Sequence, residues 1–204
     1  MSEGISLGWN CHSATKGVEI GLRKRKQDGY STCPFDECIT NYDGIIQCIK
    51  EDFKYFCDSD YLELIEAPFS SGGTVKGEKL VYNTRYRFIF NHESPGHGNL
   101  YITQNWKNGI NHYIDDDYKL FKERYNRRIN NFRHYVQNND ITFIITRFQN
   151  NITELRNAIK ETYPTLKFNI VILFPEASKT LVKEHHQYMR LTDDLIKYEI
   201  NESI

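Results

Sequence analysis

The stretch DITFIITRFQNNITELRNAIKETYPTLKFNIVILF, residues 140–174, decides the fold. Its first part, 140–146, is an apolar run that predicts a buried strand, and 167–174 predicts another. Between them, Asn151 followed three residues later by Glu154 is typical of a capping box at the start of a helix. Because the links are short, the two strands are expected to be parallel neighbours joined by a right-handed crossover. This unit predicts an α/β protein.

Two helices are predicted upstream of residue 60. The apolar run 5–7 ends in Gly8, and residues 13–26 follow as a helix, so the chain begins with a strand, a tight turn and a helix. A second helix is amphipathic, because apolar side chains recur there at intervals of three and four: Ile45, Ile46, Ile49, Phe53 and Phe56.

The remaining segments complete the architecture. Residues 60–91 predict two or three strands, antiparallel because their links are short. The acidic run 115–117 is expected to open a long helix, and a last helix is expected over 178–199. The fold class is therefore α/β, with a mixed sheet, a parallel strand-helix-strand unit in the C-terminal half and helices on both faces. Residues 1–204 form one domain of ordinary size.

Charge and hydropathy exclude several partners. The chain carries 26 Lys and Arg against 27 Asp and Glu, a net charge of -1, so no global attraction to nucleic acid is expected. The longest apolar run, 170–174, is far shorter than the roughly 20 residues that cross a bilayer. The N-terminus has no basic stretch or apolar core of a secretory signal, so we expect a cytoplasmic, intracellular protein. The oligomeric state stays open.

The five cysteines do not form a recognisable framework. Their number is odd, their spacing is irregular and no Cys-x-x-Cys pair occurs, so we expect thiols, no metal and no cofactor. Basic residues on the long helix are interpreted as a solvated face, because the aromatic residues fall on its core side. These basic residues are Lys119, Lys122, Arg124, Arg127, Arg128 and Arg133. Arg127 and Arg128 differ from the rest, since one of the two is a candidate for an ion pair with a carboxylate at the edge of the core.

Cys11 is the first candidate site residue. It leaves a predicted strand and enters the first turn of a helix, where unpaired N–H groups and the helix dipole stabilise a thiolate. The same N–H groups, with the Asn10 amide as a further donor, could hold an oxyanion. A buried cysteine that acts as a small hydrophobic residue is the alternative.

A thiol nucleophile needs a base. His92 ends a predicted strand and enters a turn rich in Gly and Pro, where its imidazole can face a cleft, and His97 on the same turn is the reserve candidate. A third group should fix the imidazole tautomer; Asn105 is one option and a nearby acid is another. His12 is a poor partner for Cys11 because adjacent helical residues point in different directions. The alternative for His92 and His97 is a solvent-facing loop histidine.

A combination of short motifs resembles a family of papain-like cysteine peptidases found in bacteria, protists and large DNA viruses. The resemblance covers about residues 5–175. The matching pieces are Ile5-Ser6-Leu7-Gly8-x-x-Cys11-x-x-Ala14, Gly21-Leu22-Arg23, Pro34-Phe35-Asp36, Phe90-x-His92 and Tyr125-x-Arg127-Arg128-Ile129-x-x-Phe132. The resemblance implies that Cys11 is the nucleophile and His92 its base. It also implies an α+β papain-like architecture as the alternative fold.

Two positions depart from the family pattern: Glu37 stands where the family usually has Trp, and Glu93 where it commonly has Asp. The strand ends suggest further site residues, since ligands of open α/β sheets bind beyond the carboxyl ends of the strands. Arg147 and Glu176 follow two such ends, and Arg147 could bind a carboxylate or phosphate. A structural ion pair is the alternative for Arg147. Asp36 is a candidate for the same region, with a helix cap or turn former as its alternative.

The sequence thus predicts a thiol hydrolase that acts on a peptide, isopeptide or other acyl substrate. Cys11 and His92 would be catalytic, with Asn105 as the orienting group, and Asn10, Asp36 and Arg147 would bind substrate or oxyanion. The alternative is a catalytically inactive binding domain for a protein or a phosphorylated partner.

Overall fold

The structure, a computed structural model, describes residues 2–67, 70, 74–94, 102, 105–147, 151–174 and 187. Outside these residues lie His97, Glu176 and, except for Gln187, the helix predicted over 178–199. Ten α-helices and strands are described, in the order β1 (Glu3–Gly8), α1 (His12–Glu19), α2 (Tyr42–Lys50), β2 (Leu62–Glu66), β3 (Lys79–Asn83), β4 (Phe88–Phe90), α3 (Asp115–Asn138), β5 (Ile141–Thr146), α4 (Thr153–Thr162) and β6 (Phe168–Leu173).

The parallel strand-helix-strand unit is confirmed. β5 and β6 pair in parallel from Ile141 opposite Phe168 to Thr146 opposite Leu173. β1 pairs in parallel with the other edge of β5, which gives the order β1-β5-β6. All six residues of β5 are buried, as expected for the central strand of a parallel sheet. The carboxyl ends of β1 and β5 therefore meet at one edge.

The strands predicted from 60–91 form a second, antiparallel sheet in the order β2-β3-β4. The α/β class is confirmed, and the strands divide between these two sheets. An isolated bridge joins Ile39 to Ile89, so the segment after Asp36 runs along the edge of β4.

Four predicted helix boundaries change. α4 has Ile152 as its N-cap, with no side-chain capping bond, instead of the capping box predicted at Asn151. α1 ends at Glu19, since Gly21 adopts a positive φ of 74° and the N–H groups of Leu22 and Arg23 both bond to Gly17 O. α2 ends at Lys50, and the two aromatic residues predicted to extend it lie in the turns that follow. In α3 the residues 116–118 have positive φ values, so the acidic run precedes the regular helix.

The core that supports these elements is aromatic. Phe35 meets Phe53, Phe56, Phe88 and Phe132 with ring centroids between 5.6 and 6.2 Å apart. Phe35 lies next to Asp36, so the packing of its ring fixes the backbone that carries the polar residues after it. No helix among the described residues is long and apolar enough to span a bilayer.

Candidate active site

The turn between β1 and α1 carries Cys11 and is held by short contacts. Ser6 Oγ lies 2.6 Å from Ser13 Oγ and accepts the Gly8 N–H at 3.2 Å. Gly8 has a φ of 93°, and a Cβ there would stand 2.0 Å from Thr40 Oγ1. The turn therefore requires glycine, because both its backbone conformation and its neighbour exclude a side chain.

Cys11 caps α1 as predicted. Its carbonyl accepts the Thr15 N–H at 2.9 Å, and its side chain is half-buried. Asn10 has a left-handed φ of 53°, and its Oδ1 accepts the His12 N–H at 3.2 Å. The sulfur therefore stands at the positive end of a helix whose first-turn N–H groups have no intrahelical acceptor.

The side chain of His12 contacts the end of β5. Its Nδ1 lies 2.8 Å from Thr146 Oγ1, which joins the start of α1 to the end of β5. Burial, assisted by the charge of Lys16, lowers the pKa of His12. This position agrees with the expectation that His12 is a poor partner for Cys11.

Cys11 borders a cavity of about 340 Å³. Its other lining residues come from α1, the segment after it and the turn at Asp36. They are Ala14, Thr15, Val18, Glu19, Arg23, Arg25, Lys26, Asp36 and Glu37. The thiol is thus at a polar recess rather than sealed among aliphatic side chains.

The segment 36–40 connects the surroundings of Cys11 with those of His92. Thr40 Oγ1 donates to Leu7 O at 3.2 Å on the β1 side. On the other side Ile39 exchanges two backbone hydrogen bonds with Ile89, of 2.9 and 3.0 Å. His92 follows β4 by two residues, so it emerges near the start of the same segment. Glu37 on that segment lines the cavity beside Cys11.

The imidazole of His92 is half-buried, and four charged groups act on it. Burial lowers its pKa, Glu37 and Glu93 oppose that effect, and Arg128 and Arg124 reinforce it. The net result is a pKa below the ordinary 6.5, so His92 is neutral near pH 7. A neutral imidazole is the form that accepts a proton.

A cluster of ion pairs surrounds this histidine, and its acidic members had no role in the sequence prediction. Arg128 is 3% exposed and reaches Glu37 at 2.6 Å and Glu93 at 3.1 Å. Arg124 lies 3.1 Å from Glu93, which is fully buried. Lys26 adds a contact of 3.1 Å to Glu37. The only sequence signal was that both acids depart from the family pattern.

Glu37 is fixed in its ionised form. Burial would raise its pKa, but the charges of Arg128 and Lys26 outweigh burial and hold the pKa at about 2. Three cations surround two carboxylates in this cluster. The cluster is therefore expected to favour a further anion nearby, such as a thiolate.

Three other predicted site residues have defined surroundings. Asp36 is buried and accepts bonds from the Cys33 N–H at 2.8 Å, from Tyr30 and from Arg23, so it holds the turn while lining the cavity. Arg147 lies 3.5 Å from the centre of the Tyr42 ring and donates to Asn151 O at 2.7 Å. Asn105 is exposed in a turn with a φ of 52°. Their catalytic or binding roles stay predictions.

The basic face predicted for α3 is different in the structure. Four of its six basic residues form ion pairs, and only Lys119 and Arg127 fit a solvated face. The paired ones are Lys122, Arg124, Arg128 and Arg133, with Asp117, Glu93, Glu37 and Asp52 among their partners. The pairs of Arg124, Arg128 and Arg133 join α3 to other segments, whereas the pair of Lys122 with Asp117 lies within α3.

The other four cysteines contrast with Cys11. Cys33, Cys38 and Cys48 are buried, and burial raises the pKa of each. Cys57 is partly exposed, yet burial raises its pKa to about 12. Within the described part of the chain, no group of three or more His, Cys, Asp or Glu could hold a metal ion.

The fold and the site define an α/β protein with a cysteine at the carboxyl end of its first strand and a histidine beside a paired carboxylate. The chain belongs to the family described as "putative papain-like cysteine peptidase" (DUF1796), which matches residues 2–177. This confirms the resemblance predicted from the motifs. No curated protein matches the chain, and no solved structure does.

Proposed function

We propose that this protein is a thiol hydrolase in which Cys11 is the nucleophile and His92 the general base. The observation that carries the proposal is the half-buried thiol at the start of α1, on a cavity that also exposes Glu37. Glu37 acts electrostatically on His92, so the nucleophile and the base share a neighbour. The family description supports the same chemistry.

The reaction begins with transfer of the Cys11 thiol proton to the neutral imidazole of His92. The sulfur attacks the acyl carbon, and N–H groups in the first turn of α1 stabilise the oxyanion, with the Asn10 amide as a further donor. The bond to the leaving group then breaks, and the imidazolium returns its proton to the leaving amine or alcohol. Water, activated by His92, hydrolyses the thioester and restores the thiol.

The substrate is a peptide, isopeptide or other acyl compound. The cavity beside Cys11 has both acidic and basic walls, which suits a polar acyl group rather than a lipid chain. Asp36 contributes to those walls mainly by fixing Arg23, which it meets at 3.1 Å. Arg147 stays a candidate for contact with substrate at the same edge of the parallel sheet.

An activated ester tests the proposal without knowledge of the natural substrate. The wild-type protein is mixed with p-nitrophenyl acetate, release of p-nitrophenolate is followed, and the intact mass is measured. We expect a burst of product together with one added acetyl group, located on Cys11 by peptide mapping. Cys11→Ala should abolish both signals and His92→Gln should slow the burst by roughly 100-fold or more.

Cys57→Ala is the matched control, because Cys57 is the other partly exposed thiol. Its burst is expected to equal that of the wild type. Acetylation spread equally over both thiols, or a burst that survives Cys11→Ala, would reject the hydrolase assignment. The binding domain would then be the better description of this fold.

A further inference from the structure

We propose that Glu37 is the carboxylate that positions the His92 imidazole for proton transfer with Cys11. This inference rests on the proposed function, since it assigns the third member of the same site. It differs from the prediction that Asn105 has this role. It also gives a function to one of the two residues at which the chain departs from the family pattern.

The backbone brings Glu37 to the cavity of Cys11 and to the end of the segment that His92 approaches. The segment 36–40 is tied to β1 through Thr40 and to β4 through Ile39, so its start is fixed relative to both strands. Glu37 shares the cavity wall with Cys11. Because Ile39 pairs antiparallel with Ile89, the chain after β4 runs toward the start of the segment 36–40, so His92 approaches Glu37. A carboxylate in this place can hold an imidazole while leaving the cavity open.

The hydrogen-bonding capacity of Glu37 is only partly used. Its Oε1 accepts from Lys26 at 3.1 Å and its Oε2 from Arg128 at 2.6 Å. A carboxylate has about four acceptor sites, so about two are left for an imidazole N–H or water. Arg128 is buried on α3 and anchors the carboxylate, which prevents it from rotating away from the histidine.

Four charged groups that act on His92 belong to one cluster. Glu37 comes from the segment 36–40, Glu93 from the chain next to His92, and Arg124 and Arg128 from α3. Both arginines also meet Glu37, Arg128 at 2.6 Å and Arg124 at 3.7 Å, so ion pairing does not separate the two acids. Glu93 is the weaker candidate because its side chain is fully buried. It is better suited to fix those arginines. Glu37 is 22% exposed and faces the cavity, where the reaction would occur.

The test compares Glu37→Gln with Glu51→Gln. Glu51 is a matched control, since its side chain is 23% exposed and also ion-paired to an arginine, Arg85. The titration of His92 is followed by NMR, with His92→Gln to assign the signal, and the rate of Cys11 alkylation by iodoacetamide is measured. Glu37→Gln should move the His92 midpoint to lower pH and slow alkylation about ten- to 100-fold. Glu51→Gln should change neither.

The outcomes separate this inference from the proposed function. A folded Glu37→Gln protein with the wild-type His92 midpoint and alkylation rate would overturn the positioning role. Glu37→Asp serves if Glu37→Gln does not fold: we expect it to keep the charge, and so the midpoint, but to slow alkylation because its shorter arm misplaces the imidazole. Failure of the proposed function would look different: an inert Cys11 in the wild type, with the His92 midpoint still displaced by Glu37→Gln.

Discussion

Replacing Arg128 by Met tests the ion-pair cluster that supports the candidate site. Arg128 is 3% exposed and lies between Glu37 and Glu93, at 2.6 and 3.1 Å. Met fills much of the same volume but carries no charge. The variant leaves the fully buried Glu93 with Arg124 as its ion-pair partner among the described residues.

The expected loss of stability is large. Removing one member of a buried ion pair costs about 3–5 kcal/mol, since the remaining charge stays buried with less compensation. Because Arg124 stays beside Glu93, the lower end of this range is expected. The lowered pKa of Glu37, from 4.5 to about 2, corresponds to roughly 3 kcal/mol, to which Lys26 and His92 contribute along with Arg128. We therefore expect Arg128→Met to lower the free energy of unfolding at pH 7 by about 3 kcal/mol.

The dependence on pH has a defined sign. Because folding lowers the pKa of Glu37, its stabilisation is complete above the unfolded value of 4.5 and is lost as the pH falls toward about 2. The wild type should lose stability over this window more steeply than Arg128→Met does. Urea unfolding at pH 7, 4 and 3, followed by circular dichroism, measures both effects.

Two comparisons complete this experiment. Lys79→Met removes an exposed ion pair with Glu66 and should cost at most about 1 kcal/mol. Adding Glu93→Gln to Arg128→Met removes the buried charge and should restore part of the stability. The reasoning is refuted if Arg128→Met costs no more than Lys79→Met.

Two further predictions concern the turn at Cys11 and the third site residue. Gly8→Ala should lower the free energy of unfolding by at least about 2–4 kcal/mol, because its Cβ would clash with Thr40. Gly29 has a similar φ of 92° but open space around it, so Gly29→Ala should cost only about 1–2 kcal/mol. Equal losses would contradict the close contact at Gly8. In the ester assay Glu37→Gln should slow acetylation of Cys11 more than Asn105→Ala does, since Asn105 is exposed in a turn; a larger loss for Asn105→Ala would favour the sequence prediction.

The sequence predicted the elements whose signals are local. The apolar stripe of α3 places Phe121, Tyr125, Ile129, Phe132 and Val136 in the core, as its spacing of three and four residues indicated. The run 141–146 is buried and central in its sheet, as its composition indicated. Cys11 at the start of α1 was predictable because a strand, a glycine turn and a helix follow one another directly.

The ends of the helices depend on tertiary contacts, which the spacing of apolar residues in the sequence does not reveal. Phe53 and Phe56 continue the helical spacing of α2, yet they lie beyond its end at Lys50. Both rings pack against Phe35, at 5.6 and 6.2 Å, and Phe53 has a φ of 62°. Apolar side chains can therefore be buried from turns as well as from a helix, so their spacing alone does not show where α2 ends.

The polar cluster of the site was not predictable for a related reason. Glu37 and Arg128 are 91 residues apart and meet only because α3 crosses the segment 36–40. A charged residue in a turn is ordinarily solvated, so Glu37 carried no functional signal. For the same reason the spacing indicates a solvated face for the basic residues of α3, although four of them form ion pairs. Arg128 is the exception, since a pair with a carboxylate at the edge of the core is expected for it or Arg127, and Arg128 forms one.

Selective alkylation of Cys11 tests the central claim most directly. The protein is treated with limiting iodoacetamide between pH 5.5 and 8, and modification of each cysteine is quantified by peptide mapping. We expect Cys11 to react at pH 6 at least tenfold faster than Cys57, whose pKa is raised to about 12, and to lose this advantage in His92→Gln. If Cys11 and Cys57 react at equal rates at pH 6, Cys11 has no activated thiolate and the account is contradicted.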